Sequence, residues 1–544
     1  MRLHFHEAAE REFDLCVAGS GPAGIILALE YAQLNPGKTV LLLEFGGMAP
    51  AARNHLDDTI RVTNPINHHA PYECTNKALG GTSATWGGRC VMYDEIDFLE
   101  RPVLGGECTW DVNLLRDVEQ FVPRAEEYFE CGTGPFRLRD AGPIAERFEA
   151  GEVTDDVVEK WSMPTRFGRR YAASLESSAV IFLLLDCEAK VLAAPDADGR
   201  VLWLEVEETA TGKRTRIRAR QIVLAAGAQE STRLLLKNTA VFDRLGAVPP
   251  TLGKYYQGHV SGKIASVRFY GDPRKTEYGF RREPGGAYAR RRFQFATETL
   301  RERDLLNTAI WLDNPAYYDP SHGSGPMSFM YLAMLVPVLG RKLAPPAIRH
   351  SVTKGKTSGI GRHVFNILRG LPGSLVTSAS IFFRRYCLGR KLPGVFLYNP
   401  ENRYALHFHA EQVPDARNRM SLAPDGATLV IDYQLTDADV ESVIGTHRLL
   451  DEWLRKCGCG ELEYHFPAED LPAAIREMSR DGIHQVGTTR IAATPERGVV
   501  DDHLKVWGSA NLYVCSSSAF PTSGQANPTF LLGAFAARLA RHLN

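Results

Sequence analysis

The chain has 544 residues, of which 44% are hydrophobic and 23% are charged. These fractions are typical of globular proteins and exclude a mostly disordered chain. Lysine and arginine total 63 against 64 aspartates and glutamates. This balance excludes the overall basic excess that nucleic-acid-binding proteins usually carry, so we expect no nucleic-acid partner.

Hydropathy and cysteine usage indicate where the protein works. The sequence has no run of 18 apolar residues, and its first residues, MRLHFHEAAEREFD, are polar. We therefore expect neither a transmembrane helix nor a signal peptide. The ten cysteines lack the spacing of a zinc site. We interpret them as reduced thiols and expect a cytoplasmic protein without a structural metal.

The first predicted elements form a βαβ unit. An apolar run at residues 13–18 predicts a strand, GSGPAG a turn, IILALEYAQL a helix, and residues 39–44 a second strand. Gly19, Gly21 and Gly24 form GxGxxG, which permits a tight turn, a close approach to a pyrophosphate and close helix packing. Glu44 ends the next strand, where its carboxylate can accept hydrogen bonds from ribose hydroxyls. The unit predicts a dinucleotide site.

Similar elements return later in the chain. Residues 221–226 predict a strand that leads into a helix, and residues 511–515 predict another strand, with a helix from about residue 528. Residues 404–412 (YALHFHAEQ) alternate like a strand, and 437–456 read as an amphipathic helix. We predict a discontinuous nucleotide-binding domain of residues 11–100, 181–245 and 481–544. A substrate-binding domain of residues 101–180 and 246–480 is inserted into it.

One segment, at about residues 320–400, differs in charge from the rest. It has no acidic residue between Asp319 and Glu401 but eleven basic ones, and it includes the apolar run MSFMYLAMLVPVL. Three interpretations stay open. Residues 340–391 form a solvated basic face or a contact in a homo-oligomer, they lie on a membrane surface at its inner face, or they bind an anionic substrate.

Four segments resemble the glucose–methanol–choline (GMC) family of FAD oxidoreductases: GSGPAG, GGTSATWGGR, VLAAGAQESTRLLL, and the last sixty residues with HQVGTTR and SGQANPTF. NPT is similar to the branch of pyranose oxidase and glycoside 3-oxidases. The resemblance implies a Rossmann-like FAD-binding domain with an inserted α+β domain built on a mostly antiparallel sheet. It also implies a hydroxyl-oxidising enzyme that passes electrons to O2, a quinone or a carrier protein.

The resemblance assigns residues to the site. His484 matches the catalytic histidine and Asn527 its partner. The matches to flavin or nucleotide contacts are Gly81, Thr82, Trp86, Gly87, Val191, Ala226, Asn511 and Ser516. Thr85 stands where pyranose oxidase has the histidine that binds its flavin covalently, so we expect non-covalent FAD.

The residue types fit this chemistry. Oxidising an alcohol requires a base for the hydroxyl proton, and an imidazole titrates near neutral pH, which suits His484. Asn527 can hold the alcohol oxygen, or cap the helix that starts at Pro528. On YALHFHAEQ, strand alternation predicts His407, His409 and Glu411 on one face. That face binds sugar hydroxyls, is a solvated sheet face, or holds a metal through HxH.

We therefore expect an FAD-dependent enzyme that oxidises a secondary hydroxyl of a sugar or glycoside to a ketone. Two alternatives stay open at this point: oxidation of a non-sugar natural-product alcohol, and a non-redox lyase on the same fold. A scaffold that merely retains FAD would not need both His484 and Asn527.

Overall fold

The computed structural model describes residues 1–50, 59–138, 141–336 and 359–544, together with Val338, Gly340 and Thr353. Its α-helices are α1 Phe5–Ala9, α2 Pro22–Leu34, α3 Pro71–Cys74, α4 Val112–Glu119, α5 Val122–Phe129, α6 Phe167–Ser177, α7 Gly227–Lys237, α8 Thr297–Glu302, α9 Gly325–Leu335, α10 Ile360–Arg369, α11 Gly373–Phe382, α12 Asp437–Lys456, α13 Leu471–Met478 and α14 Pro528–His542.

Many of the strands are short. They are β1 Glu12–Ala18, β2 Val40–Leu43, β3 Ile60–Val62, β4 Arg89–Cys90, β5 Val153–Thr154, β6 Val158–Trp161, β7 Ile181–Leu184, β8 Cys187–Leu192, β9 Trp203–Glu208, β10 Arg214–Leu224, β11 Val260–Phe269, β12 Arg281–Arg282, β13 Tyr288–Arg291, β14 Gln294–Phe295, β15 Thr308–Asp313, β16 Arg403–Ala410, β17 Arg419–Leu422, β18 Leu429–Asp432, β19 Gly460–Tyr464 and β20 Leu512–Val514.

The largest sheet brings together strands from the start, middle and end of the chain. Its order is β7-β2-β1-β10-β9-β8, and β20 pairs with the last residues of β10. Strands β7, β2, β1, β10 and β20 run parallel, and β9 pairs antiparallel with both β10 and β8. Continuous apolar runs such as VLLL in β2 are fully buried, as expected of a parallel sheet covered on both faces.

The register of this sheet aligns the ends of its central strands. Ala18 pairs with both Leu43 and Leu224, and Leu224 pairs with Val514. The segments that follow β1, β2, β10 and β20 therefore leave the sheet at the same edge. In open parallel sheets, ligands bind outside this carboxyl edge.

A second hydrophobic core surrounds an antiparallel sheet of order β15-β16-β11-β19. Helix α12 adds a row of buried side chains to this core. The arrangement confirms the predicted fold class, a mixed α/β protein with a mostly antiparallel second sheet. The domain boundaries stay a prediction. Within the described residues, no helix is long and apolar enough to cross a membrane.

Candidate active site

A cavity of about 440 Å³ lies at the carboxyl edge of the parallel sheet. Its wall comes from the turn after β1, the end of β2, the loop before β4, the turn after β10, and the loops around residues 484, 516 and 527. The predicted site residues in this wall are Gly19, Gly21, Glu44, Gly81, Thr82, Trp86, Gly87, Ala226, His484, Ser516 and Asn527.

The glycine turn after β1 lets its backbone pack closely against the turn after β10 and against the start of α2. Gly19 has φ +112°, and a side chain there would overlap Ala225 of the neighbouring turn. A side chain on Gly24 would overlap the carbonyl oxygen of Gly19, which explains how α2 starts so close to β1. Gly21 precedes Pro22 without a side-chain cap. The first N–H groups of α2 are thus available to an anionic ligand.

Glu44 is fixed beside this turn. Its carboxylate accepts hydrogen bonds from the Ser20 hydroxyl at 2.6 Å, from the Ser20 N–H at 3.2 Å and from the Gly46 N–H at 3.0 Å. Burial raises the pKa of Glu44, and the hydrogen bonds from Gly46 and Ser20 oppose that shift. The carboxylate lines the cavity at the end of β2, where a ribose would lie in a dinucleotide site.

The loop around Trp86 forms another wall. The Trp86 indole donates to the carbonyl of Thr165 at 3.0 Å and packs against Phe129 and Phe167. A side chain on Gly81 would lie 3.1 Å from Cα of Gly21, so the loop runs close to the glycine turn. Trp86 therefore anchors the loop to the core while the neighbouring backbone faces the cavity.

His484 and Asn527 meet at the cavity. The Asn527 amide donates to Nε2 of His484 at 2.6 Å, which leaves Nε2 as an acceptor. Asn527 is the N-cap residue of α14, but its side chain does not cap the helix. Its buried Oδ1 has no hydrogen-bond partner among the described residues. The pair offers a base and an amide donor to a hydroxyl group.

Asp481 holds His484 from the other side. Its Oδ2 accepts from Nδ1 of His484 and Nδ1 of His259, both at 3.3 Å, and from the His259 N–H at 2.7 Å. Its Oδ1 accepts the backbone N–H groups of residues 482–484. Although burial alone would raise it, the pKa of Asp481 is held well below its usual range by the charge of His484 and the hydrogen bond from His259.

Two further imidazoles pack against His484. His259 stacks on His409 with ring centroids 4.0 Å apart, and His484 meets both rings edge-on. Burial lowers the pKa of His259. Burial, and secondly the charge of His259, lower the pKa of His409 well below its usual value. Both stay neutral near pH 7. The three rings have nitrogens within 4.8 Å of one another, but a cation there would compete with Asn527 for His484.

Comparison with known proteins finds a matching family model and a relative that aligns over nearly the whole chain. A family model described as GMC oxidoreductase matches residues 414–536. The 6'''-hydroxyparomomycin C oxidase of Streptomyces lividus is 22% identical in an alignment of 588 positions that covers 98% of this chain and 91% of that protein. Residues 414–536 therefore match the GMC oxidoreductases, and this match supports an FAD-dependent alcohol oxidoreductase with FAD as the cofactor.

Solved structures share the fold of this protein. An FAD-dependent oxidoreductase from Chaetomium thermophilum superposes with a TM-score of 0.50 at 16% identity, over 97% of this chain and 98% of that one. A fungal aryl-alcohol oxidase superposes with a TM-score of 0.52 at 14% identity, over 98% of both chains. At these identities the similarity shows the fold alone, and the pyranose oxidase branch stays a prediction.

Three predicted cofactor residues of the oxidoreductase do not line the cavity. Gly24 lies beneath Gly19. Val191 follows a β-bulge in β8, and the preceding residues 188–190 line the cavity instead. Asn511 lies at the amino end of β20, where its amide donates to the carbonyls of Val201 and Arg220. The carboxyl end of that strand reaches the cavity, so Ser516 lines it and Asn511 does not.

The structure places Glu411, predicted on the substrate face of β16, away from the cavity. The strand ends at Ala410, and the Glu411 carboxylate turns inward to Arg101, which donates to both its oxygens at 2.9 and 2.8 Å. Both side chains are fully buried. His407 stacks on Trp311 and is partly exposed, outside the cavity wall. Of the three residues, only His409 adjoins His484.

Sequence reasoning missed Asp481, His259 and Gln229. Asp481 stands three residues before His484, a spacing that could have suggested a contact. Nothing local to the sequence distinguishes His259. Gln229 lines the cavity, and neither of its buried amide atoms has a partner among the described residues.

Proposed function

We propose that the protein oxidises a secondary hydroxyl of a sugar or glycoside to a ketone, with His484 as the base and non-covalently bound FAD. The observation that carries this proposal is the His484–Asn527 pair at the cavity. The relative named for 6'''-hydroxyparomomycin C supports a large polar alcohol as substrate. Polar contacts from Glu411 play no part in the proposal.

The cavity wall fits FAD. The glycine turn and the bare start of α2 suit a pyrophosphate, and Glu44 suits a ribose. Gln229 and Ser231 add buried polar atoms without partners among the described residues, as expected where a polar ligand completes the hydrogen bonding. Thr85, whose hydroxyl accepts from Asn76 at 2.7 Å, lacks the imidazole needed for a histidyl link.

FAD supplies the hydride acceptor, N5, when it is bound. The protein supplies the proton acceptor. Asp481 accepts from Nδ1 of His484 and so keeps Nε2 unprotonated, ready to take the hydroxyl proton. The Asn527 N–H can donate to the alcohol oxygen and so position the hydroxyl next to Nε2.

The base is tested by His484→Ala with His503→Ala, a histidine outside the cavity wall, as the matched control. The His484 variant should keep its FAD while anaerobic flavin reduction slows on the order of 10²–10⁴-fold. Asn527→Ala should slow it by a smaller factor. A near-normal rate in His484→Ala would remove this residue from the mechanism.

The substrate class and the flavin linkage are tested on the wild-type enzyme. Anaerobic bleaching should be fastest with sugars or glycosides in a panel that includes non-sugar alcohols, and the product should be a ketone. Acid precipitation should release the flavin into solution. Reduction by non-sugar alcohols alone would overturn the sugar assignment, turnover without bleaching would indicate a lyase, and flavin in the pellet would contradict non-covalent binding.

A further inference from the structure

Helix α10, Ile360–Arg369, has its polarity reversed. Its polar residues His363 and Asn366 are buried, whereas Val364, Phe365 and Leu368 are exposed, the last two at 60% and 62%. A helix on a water-facing protein surface normally buries its apolar stripe. The exposed face of α10 is therefore built for an apolar environment.

Hydrogen bonds fix this orientation. Nδ1 of His363 lies 3.0 Å from the hydroxyl of Ser328 on α9, and the Asn366 amide donates to the same hydroxyl and to the carbonyl of Pro320. Rotating α10 to hide its apolar face would break all three contacts and expose their partners. The outward apolar face thus belongs to the folded state.

Helix α11, Gly373–Phe382, repeats the pattern. Ser374 is buried and donates to the carbonyl of Gly370, whereas Leu375 and Val376 are 58% and 67% exposed. Ten of the 22 large apolar side chains that are exposed in the described residues lie between Ile360 and Tyr386. Together α10, α11 and the following turn of helix at Phe383–Cys387 form one surface, here called the apolar helical face.

The charges carried by this segment of the chain have one sign. Its described basic residues are Arg362, Arg369, Arg384, Arg385, Arg390 and Lys391, and the sequence has no acidic residue between Asp319 and Glu401. Arg362 and Arg369 are exposed at the two ends of α10. Arg341, Lys342, Arg349, Lys354 and Lys356 lie outside the described residues.

We propose that the apolar helical face docks on an anionic lipid surface, with its large side chains among the acyl chains and its arginines at the headgroups. Apolar side chains beside basic ones are the pattern of helices that lie in a membrane interface. A second copy of the chain is disfavoured because a two-fold contact would bring the same positive charges face to face.

Vesicle binding tests the proposal with the FAD-loaded enzyme. It should co-sediment with vesicles of mixed phosphatidylglycerol and phosphatidylcholine, less so with pure phosphatidylcholine, and more weakly at high salt. Arg362→Glu with Arg369→Glu should raise the lipid concentration for half binding roughly tenfold or more. Lys213→Glu with Arg301→Glu, exposed charges elsewhere, is the matched control and should bind like the wild type.

The apolar contribution has its own pair of variants. Phe365→Ser with Leu368→Ser keeps the charge and should also weaken binding roughly tenfold or more. The control is Leu202→Ser with Tyr270→Ser, apolar residues elsewhere that are about half exposed, at 50% and 51%. Flavin absorbance should be unchanged throughout, which shows that each variant is folded.

Several results would overturn the proposal. One is failure of the wild type to bind anionic vesicles at low salt, and another is undiminished binding by either α10 variant. A third is a light-scattering mass above the 60.3 kDa of one chain that returns to one chain in the Phe365→Ser, Leu368→Ser variant. That result would assign the face to contact between copies.

Discussion

A single carboxylate positions His484, the proposed base. Asp481 accepts hydrogen bonds from two imidazoles and from several backbone N–H groups. These contacts fix both the position of His484 and which of its nitrogens carries the proton. Asp481 acts on the reaction through His484, so it is a positioning residue.

Replacing this carboxylate tests that role. Asp481→Asn places an amide beside Nδ1 of His484 and favours the tautomer with the proton on Nε2, which cannot accept the alcohol proton. We expect anaerobic flavin reduction at saturating substrate to slow roughly 10²–10⁴-fold, while half-saturation changes little because Asn527 still positions the alcohol.

The matched control is Asp439→Asn. Asp439 is also buried but accepts from Val413 and Thr436 instead. It should leave the rate of flavin reduction near that of the wild type. Equal rates in the two variants would show that Asp481 serves the fold and not the base.

At the scale of elements, two glycines of the turn between β1 and α2 have different roles. Gly21 lines the cavity, whereas Gly24 packs against Gly19. A side chain on Gly21 meets nothing within 4 Å, and its φ of −66° suits any residue. Gly21→Ala should therefore keep its stability but bind FAD roughly 10–100-fold more weakly, because the methyl group competes with the cofactor.

Gly24→Ala should behave differently. Its methyl group overlaps Gly19 and should lower the free energy of unfolding by about 1–3 kcal/mol even in the apoprotein. Gly142→Ala, which has open space, is the control. Thermal unfolding measures the stability of each variant, and FAD titration measures its cofactor affinity. Equal stability loss in Gly21→Ala, Gly24→Ala and Gly142→Ala would contradict a packing role for Gly24.

The end of β16 gives another prediction at this scale. Glu411→Ala leaves the guanidinium of Arg101 buried without its partner and should cost about 3–5 kcal/mol of stability. Substrate affinity of the folded fraction should not change, since Glu411 does not line the cavity. Denaturation and steady-state kinetics together check this, and weaker substrate binding at normal stability would return Glu411 to the substrate site.

At the scale of the whole molecule, buried neutral histidines make stability depend on pH. Burial lowers the pKa of His447 to about 4. In the unfolded chain this residue has a pKa near 6.5, so as the pH falls the unfolded state binds the proton before the folded state does. His447 therefore removes ~1.4 kcal/mol of stability per pH unit between about 6.5 and 4.

His447→Gln isolates this contribution. Between pH 7 and pH 5 the wild type should lose ~2 kcal/mol more free energy of unfolding than the variant. Urea unfolding at a fixed FAD concentration measures the difference, because bound cofactor adds the same stabilisation to both proteins. Equal losses would mean that His447 is protonated in the folded state.

The local elements and the resemblance to the GMC oxidoreductases can be predicted from the sequence. Residues 13–44 predict strand, turn, helix and strand because hydropathy period and glycine spacing are properties of neighbouring residues. They correspond to β1, α2 and β2. HQVGTTR and SGQANPTF likewise indicate the pair that lies 2.6 Å apart in the structure.

Only the tertiary structure decided the surroundings of that pair. His259 and Asp481 are 222 residues apart, and Arg101 and Glu411 are 310 apart. Strand alternation predicts the face of His409 and Glu411, but it carries no information on which side chain packs against that face. The burial of these groups, the hydrogen bonds between Asp481 and the histidines, and the exposed apolar face of α10 all depend on tertiary contacts. Folding brings their partners together from distant parts of the chain.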